Sequence, residues 1–273
     1  METVHALEQV RRMRGGAQSH LMRCSDGKYY VVKFQNNPQH TRILVNEMLG
    51  TRLAWMLGLP TTPVAIVKVS EDLIRWTADL CIEMPRQRIP CRPGLQFGSR
   101  YPGDPHYTAL HDFLPDPQLA RVRNLDDFAG MLVFDKWTCN TNGRQTIFRR
   151  GPATHKAEAE CEYQAIMIDQ GFCFNAAEWN FPDAPLRGIY ARSRVYERVR
   201  GWEAFEPWIE RIEQRIDEDV LDEISSEIPP EWYNFDQDAL YRMLEMLLRR
   251  RKLVRELIES ARKSSRVPFP NWT

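Results

Sequence analysis

The stretch Phe134-Asp-Lys-Trp-Thr-Cys-Asn-Thr-Asn-Gly-Arg-Gln-Thr-Ile-Phe148 decides the fold, because it places amides and an arginine in a polar turn between two apolar runs. Further along the chain, the short apolar strand Ala165-Ile-Met-Ile168 ends in an Asp-x-Gly motif that begins at Asp169. Upstream of both, Lys33 lies on a predicted strand and Glu47 on the predicted helix that follows it. This order of a helix, a polar loop and a strand that ends in a carboxylate is typical of a phosphoryl-transfer site.

The composition is that of an ordinary globular protein. Of 273 residues, 43% are hydrophobic and 27% are charged, which suffices for one large domain or two lobes. Lys plus Arg and Asp plus Glu each number 37, so the net charge is zero and we expect no nucleic-acid partner. No segment approaches the roughly 18 consecutive apolar residues of a membrane span. The six cysteines form no C-x-x-C pair and the first residues lack a signal-peptide pattern, so we expect a cytoplasmic protein with reduced thiols.

The N-terminal part of the chain predicts an antiparallel sheet with one helix. Asp26-Gly27 separates two β-rich runs within residues 20–34, which is a strong hairpin signal. Apolar residues recur at helical spacing over residues 41–57, and a glycine and a proline then end this helix. Residues 63–69 and 79–84 predict two further strands.

The remainder of the chain divides into two regions. Residues 85–125 contain seven prolines, which we expect to break regular elements, so an insertion and linker are predicted there. Residues 126–273 show helical periodicity, with helices expected up to Trp137, over residues 209–224 and over a long final segment from Leu240. We therefore predict an α+β fold with a small β-rich N-lobe, residues 1–84, and a larger helical C-lobe.

Residues on two early elements have the chemistry of a phosphate site. Gly15 and Gly16, followed by Ser19, allow the backbone to approach a polyanion, although an ordinary turn is the alternative. Lys33 lies on an apolar strand and must send its ammonium to a polar partner. That partner is either water or a set of nucleotide phosphates shared with Glu47, which lies close to the apolar face of the next helix.

Three other polar features each allow two interpretations. Asp169 at a strand end is a suitable Mg²⁺ ligand, and an ordinary turn aspartate is the alternative. Ser99 and Arg100 are candidates to bind an anion or accept a phosphate, and a packed surface loop is the alternative. The run Arg249-Arg-Arg-Lys252 predicts a solvated helix face, with nucleic-acid contact as the weaker alternative.

Taken together, the motifs of this chain resemble those of the HipA-like kinases, relatives of the phosphatidylinositol-kinase branch of the protein-kinase-like fold. The motifs are, in chain order, Gly-Gly-x-Gln-Ser, Val-Val-Lys-Phe, Asn-Glu, Phe-Asp-x-Trp-x-x-Asn-x-x-Gly-Arg-Gln and Ile-Asp-x-Gly. The resemblance covers roughly residues 10–175 and extends more vaguely into the helical tail. It implies a two-lobe protein-kinase-like fold, binding of ATP and Mg²⁺, and phosphoryl transfer to a Ser or Thr hydroxyl of an unidentified protein acceptor.

The resemblance also assigns roles to individual residues. It implies that Lys33 binds the ATP phosphates, that Glu47 orients this lysine and that Asp169 binds the metal. Glu83 and Met84 then belong to a hinge that meets adenine through backbone groups.

One position departs from the family pattern. Asn142 occupies the place of the usual catalytic Asp, and a carboxamide has no useful basicity, so it cannot act as a general base. Arg144 and Gln145 are expected to line the acceptor side with it, Gln145 or Asn140 to offer an amide oxygen to the metal, and Asp135 is the nearest alternative carboxylate. Either phosphoryl transfer persists in weakened form, or the protein is a pseudokinase that binds nucleotide and a protein partner.

Overall fold

The secondary structure follows the apolar spacing of the sequence. The structure, a computed structural model, describes residues 2–151 and 162–272. The strands of this part are β1 (Thr3–Arg12), β2 (His20–Cys24), β3 (Tyr29–Lys33), β4 (Val64–Val69), β5 (Cys81–Met84), β6 (Gln87–Pro90), β7 (Gly94–Arg100), β8 (Leu110–His111), β9 (Gln145–Arg150) and β10 (Tyr163–Ile168). The α-helices are α1 (Arg42–Met56), α2 (Glu71–Trp76), α3 (Asp116–Leu119), α4 (Asp127–Trp137), α5 (Glu206–Arg215), α6 (Glu218–Ser226), α7 (Gln237–Arg250) and α8 (Val254–Arg262).

Five strands form a closed barrel in the order β1-β2-β3-β7-β4. The hairpin predicted at Asp26-Gly27 joins β2 to β3, and the carboxylate of Asp26 accepts a hydrogen bond from the backbone N–H of Lys28 at 3.0 Å. Strand β1, which the sequence analysis did not predict, closes the barrel by pairing antiparallel with β2 and parallel with β4. Apolar side chains of these strands form one buried cluster, which includes Val4, Met22, Val32 and Val67.

The proline-rich region at residues 85–125 contains regular structure, contrary to the prediction. Strand β7 lies in the barrel between β3 and β4. The prolines flank this strand rather than interrupt it, because Pro93 and Pro102 lie outside its two ends. A Cβ on Gly98 would lie 2.4 Å from a methyl group of Val67, so glycine permits the close approach of β7 to β4. The boundary predicted before this region therefore falls inside the barrel.

Two smaller sheets accompany the barrel. Strands β5 and β6 form a two-stranded hairpin, and β8, β9 and β10 form an antiparallel sheet in the order β10-β9-β8. In this second sheet Gln145 at the start of β9 pairs with Ile168 at the end of β10. The pairing brings the polar loop after α4 next to the Asp-x-Gly motif, as the order of elements in the sequence predicts.

The helical region breaks at places that the periodicity did not reveal. The segment predicted as one helix over residues 209–224 is divided into α5 and α6, because Asp217 caps α6 by accepting a hydrogen bond from the N–H of Val220 at 2.9 Å. The final segment comprises α7 and α8, joined by a 3-10 turn at Arg251–Leu253. Apolar residues of α1 share one buried cluster with those of α4 to α8. None of the helices in the described part of the chain is long and apolar enough to cross a bilayer.

The basic run that begins at the end of α7 is solvated at Arg249 and Lys252, as predicted, but not at Arg250. Arg250 is only 4% exposed, and its guanidinium donates to the carbonyls of Lys136 and Phe181 and to the carboxylate of Asp183 at 3.0, 3.1 and 3.0 Å. A buried guanidinium with this many acceptors ties α7 to α4 and to the segment around Asp183.

Candidate active site

A cleft of about 640 Å³ lies between the barrel and the sheet β8–β10. The barrel side consists of the glycine-containing loop before β2, together with β3 and β7. The other side consists of β8, the start of β9 and the end of β10. Eight of the residues that the sequence predicts for the site line this cleft: Gly15, Gly16, Ser19, Lys33, Glu47, Asn142, Gln145 and Asp169.

Lys33 joins two carboxylates that are distant from it in the sequence. Its Nζ atom forms a hydrogen-bonded ion pair with Oε1 of Glu47 and donates to Oδ1 of Asp169 at 2.7 Å. The side chains of Lys33 and Glu47 are almost fully buried, whereas 24% of the Asp169 side chain is exposed. Asp169 is thus the member of this trio that offers carboxylate surface to a ligand in the cleft.

Lys33 and Asp169 are charged at neutral pH, whereas burial raises the pKa of the Glu47 carboxyl. Burial opposes the charge on Lys33, but the carboxylates of Glu47 and Asp169 outweigh it and raise the pKa of the ammonium above its ordinary value. Burial likewise opposes ionisation of Asp169, yet the nearby charge of Lys33 holds the pKa of this carboxyl below its usual range. The cleft therefore presents a cation and an ionised carboxylate side by side.

Helix α1 holds the start of the loop that follows β10. The carboxylate of Glu47 accepts hydrogen bonds from the backbone N–H groups of Gln170 and Gly171 at 3.0 and 2.9 Å. A Cβ on Gly171 would lie 2.8 Å from Ile43 and 3.1 Å from the Glu47 carboxylate, so only glycine allows the loop to pack this closely. Glu47 therefore orients both Lys33 and the backbone beside Asp169.

Asn46, the neighbour of Glu47, holds the rest of this loop. Its side-chain Nδ2 donates to the carbonyls of Gly171, Cys173 and Ala176 at 2.8, 3.0 and 2.8 Å. Its Oδ1 accepts a hydrogen bond from the indole of Trp179 at 2.8 Å. Asn46 is completely buried, so these bonds form where water does not compete for them.

Arg144, Asp135 and Asn140, which the sequence analysis placed at the reacting end of the site, lie outside the cleft. The guanidinium of Arg144 forms a two-pronged ion pair with Asp135, with Nε to Oδ2 at 2.8 Å. Asn140 donates to Oδ1 of the same carboxylate at 2.9 Å. All three side chains are buried, so contact with an acceptor or a metal conflicts with their position. We therefore propose a positioning role for these three residues in place of the predicted catalytic and metal-binding roles.

The buried Arg144 also reaches the loop that carries Asp169. Its Nη1 donates to the carbonyl of Ile168 at 2.9 Å and to the side-chain oxygen of Gln170 at 2.8 Å. These two residues flank Asp169, whose backbone has a φ of 60°. A non-glycine residue in this region requires support from its surroundings, and Arg144 provides it on both sides.

Asn142 and Gln145 occupy the polar side of the cleft. The backbone N–H of Asn142 donates to Oδ1 of Asn140 at 3.0 Å, and its own Oδ1 accepts from the N–H of Gly143 at 2.9 Å. Gln145 is exposed at the start of β9, beside the residue that precedes Asp169. Both amides are accessible, but neither supplies a base.

The predicted hinge residues, Glu83 and Met84, do not line the cleft. They lie in the β5–β6 hairpin, where the backbone N–H of Glu83 donates to Gln18 at 2.7 Å and its carbonyl accepts from the Gln18 amide at 2.8 Å. This backbone is therefore committed to the glycine-containing loop. The strand beside β3 in the barrel is β7, and residues 100–102 after it line the cleft instead.

Several cleft residues were missed or assigned only tentatively from the sequence. Arg11 lies at the end of β1, and Arg14 directly precedes the glycine pair. Asp112 reaches the cleft because it follows β8, in which His111 lies opposite Phe148 of β9. The position of Arg14 directly before two glycines could have predicted that it lines the cleft. The positions of Arg11 and Asp112 in the cleft follow from strand pairings that the sequence does not show.

The donor set at Asp169 fits a magnesium ion carried by a nucleotide. No group of three or more His, Cys, Asp or Glu side chains converges on a metal position within residues 2–151 and 162–272. Mg²⁺, however, is usually bound through one or two carboxylates together with substrate phosphates and waters rather than by a cage of protein ligands. The partly exposed carboxylate of Asp169 and the amide oxygen of Gln145 meet this requirement.

Comparison with known proteins agrees with the family that the motifs predict. A sequence model described as HipA-like kinase matches residues 7–261. The chain belongs to the HipA-like kinase family. This confirms the family predicted from the motifs, and the match extends well into the helical region of this HipA-like kinase. A search of curated proteins found no match.

Several solved structures of kinases are similar to this family member. The proinflammatory kinase CtkA of Helicobacter pylori superposes with a TM-score of 0.57 and 16% identity, over 97% of this chain and 100% of that chain. Hydra Fam20 with sugar gives a TM-score of 0.49 and 11% identity, over 96% and 86% of the two chains. The Golgi casein kinase with Mn/ADP bound gives 0.48 and 13%, over 94% and 73%. The similarity to CtkA supports the fold of the HipA-like kinase, which combines helices and strands as predicted.

Proposed function

We propose that this HipA-like kinase binds ATP and Mg²⁺ in the cleft and transfers the γ-phosphoryl group to a Ser or Thr hydroxyl of a protein. One observation carries the proposal: Lys33, Glu47 and Asp169, from three separate elements, meet beside the loop of Gly15 and Gly16. A cation for phosphate oxygens and a carboxylate for the metal are the two charges that phosphoryl transfer requires.

The two ends of the cleft suit the two ends of a nucleotide. Lys33 and Asp169 mark the end for the triphosphate, with the glycine-containing loop beside them. Val31, Ile147 and residues 100–102 give the other end apolar and backbone surface for a purine base. In this arrangement the barrel serves as the smaller lobe and the helical region as the larger one.

The residues around Asp169 would hold the magnesium ion. Asp169 would supply a carboxylate oxygen and Gln145 an amide oxygen, in place of the asparagine that the family uses. A magnesium ion bound there neutralises charge on the phosphates. Lys33 holds phosphate oxygens, and Glu47 keeps its ammonium oriented, so this chain's own contribution is chiefly positioning and charge stabilisation.

The position of the family's usual catalytic Asp offers no base, because Asn142 occupies it. During transfer, the acceptor oxygen forms a bond to the γ-phosphorus while the bond from that phosphorus to the departing ADP oxygen breaks. The hydroxyl proton must also leave, and Asn142 cannot accept it, so a phosphate oxygen or solvent takes it. Because the transition state is loose and depends mainly on positioning, the reaction is expected to persist at a reduced rate.

Asn142 also supports a second candidate function. Without a base at position 142, the cleft suits a pseudokinase that binds nucleotide and presents its surface to a protein partner. The two functions share nucleotide binding and differ only in turnover.

Isothermal titration calorimetry with ATP and Mg²⁺ tests the shared step. The wild-type chain should bind, and Lys33→Met should weaken binding by about 10- to 100-fold, because a charge-assisted contact to phosphate contributes roughly 1.5–3 kcal/mol. Lys28→Met, at a lysine of the β2–β3 turn outside the cleft, should bind like the wild type. Absence of heat with any purine nucleotide in a folded wild-type chain would exclude both candidate functions.

A further inference from the structure

A second cavity of about 230 Å³ lies on the other side of residues 100–102 from the cleft. The two cavities share Thr62, Arg100, Tyr101 and Pro102 as a common wall. Behind this wall, the second cavity is closed by Thr61, by Arg149 of β9 and by Gln164 of β10. It therefore lies where the barrel, the segment after β7 and the second sheet meet, and the proposed nucleotide chemistry does not use it.

The charged side chains that line this cavity are all positive among the described residues. Two arginines, Arg100 and Arg149, line it, and no Asp or Glu does so within the described ranges 2–151 and 162–272. Nη2 of Arg149 donates to Oε1 of Gln164 at 2.8 Å, which fixes this guanidinium and leaves its other N–H groups available. The guanidinium of Arg100 makes no hydrogen bond or ion pair with any described residue.

An independent observation concerns the hydroxyl of Thr61, another residue that lines the second cavity. Oγ1 of Thr61 is buried and has no hydrogen-bond partner among the residues that the structure describes. A buried polar atom without a partner is uncommon in native proteins and points to a missing ligand or water.

We infer that this cavity is a binding site for a phosphoryl dianion, either inorganic phosphate or a phosphorylated side chain. Guanidinium groups match phosphate oxygens with paired N–H donors, and no described carboxylate lining the cavity neutralises the two that are present. The volume accommodates a phosphoryl group with several waters, each of which takes about 30 Å³ in the liquid. The inference does not depend on nucleotide binding in the cleft.

Titration of the full chain with inorganic phosphate, without nucleotide and in chloride buffer, tests this site by calorimetry and ³¹P NMR. Wild type should bind, and Arg149→Gln should bind about 10-fold or more weakly, as expected for loss of one charge-assisted contact. Arg150→Gln is the matched control, because Arg150 is the next residue on β9, pairs with Glu162 and lies outside the cavity. Circular dichroism checks that each variant is folded, and Arg149→Lys, which keeps the charge but removes the paired donors, replaces Arg149→Gln if the latter is not.

Two further arms locate and identify the anion. Lys33→Met removes the ammonium of the cleft and should therefore weaken any binding of phosphate there. Phosphate binding that persists in Lys33→Met but is lost in Arg149→Gln belongs to the second cavity. A short phosphoserine peptide that binds more tightly than free phosphate identifies a phosphorylated side chain as the ligand, and the reverse order identifies the free ion. The inference fails if folded wild type binds no phosphate up to about 10 mM, or if Arg149→Gln binds it as well as Arg150→Gln does.

Discussion

At the scale of single residues, Asn142 is where the two proposed functions can be distinguished. The change Asn142→Asp restores a carboxylate beside the acceptor position, and a general base contributes on the order of 10²–10⁴-fold to the rate of such reactions. We expect transfer of radiolabel from [γ-³²P]ATP to the chain itself or to a generic protein substrate to rise within this range. Lys33→Met combined with Asn142→Asp should abolish the signal. If Asn142→Asp binds nucleotide but transfers nothing, the pseudokinase candidate is favoured.

The buried pair of Arg144 and Asp135 allows a test of the positioning role. Asp135→Asn leaves the guanidinium of Arg144 in the interior without its counter-charge. We expect this to lower the unfolding free energy by about 3–5 kcal/mol. Urea denaturation should show this loss. Arg249→Gln, which removes an exposed pair with Glu245, should change stability by less than about 1 kcal/mol.

The same pair shows what a sequence can and cannot reveal about a site. The positions of Lys33 and Asp169 in the cleft could be predicted, because each is a charged residue at an apolar strand and therefore requires a polar partner. Asp135 and Arg144 belong to the same motif and carry the same types of charge. Nothing in their spacing tells whether they face the cleft or each other, since this depends on how α4 packs against β9.

At the scale of secondary-structure elements, the packing of α4 against α5 rests on a glycine. A Cβ on Gly130 would lie 2.4 Å from the indole ring of Trp208, a ring in a packed interface rather than the free end of a flexible chain. Gly130→Ala should therefore lower the unfolding free energy by about 1–3 kcal/mol, as overpacking does. Chemical denaturation monitored by tryptophan fluorescence measures the unfolding free energy of wild type and variant.

The matched control for this change is Gly143→Ala. A Cβ there would meet its nearest neighbour, the carbonyl oxygen of Ile189, at an ordinary 3.7 Å. Equal losses of stability in the two variants would contradict the tight contact between α4 and α5.

Elements were predictable from the sequence where local signals were strong. The hairpin at Asp26-Gly27 and helix α1 formed near their predicted limits, because turn residues and helical periodicity act locally. Strands β1 and β7 were missed, since β1 acquires its partners from β2 and β4 and β7 is enclosed by prolines that resemble a loop. Their place is set by closure of the barrel, a property of the tertiary structure.

At the scale of the whole molecule, His20 predicts how stability depends on pH. His20 is fully buried, and this burial, together with the charge of Arg12, lowers its pKa from 6.5 to about 4. The unfolded chain therefore takes up this proton first as the pH falls, so the contribution of neutral His20 is complete above pH 6.5 and is lost between pH 6.5 and pH 4.

The expected loss between pH 7 and pH 4.5 is about 2–3 kcal/mol of unfolding free energy. His20→Gln should remove this part of the pH dependence in urea denaturation, although other groups will still titrate. His5→Gln, at an exposed position of β1, should leave the slope unchanged. Identical pH profiles for wild type and His20→Gln would contradict the assignment.

The double anchorage of the Asp169 loop to α1 limits how this protein can move. Asn46 and Glu47 together make five hydrogen bonds to the backbone between residues 170 and 176, so helix and loop must travel as one rigid body. Any opening of the cleft then falls to the strands of the barrel and the chain segments that leave it. A ligand that separated α1 from this loop would have to break all five hydrogen bonds. A ligand that held the connections of the barrel in one position would break none of them.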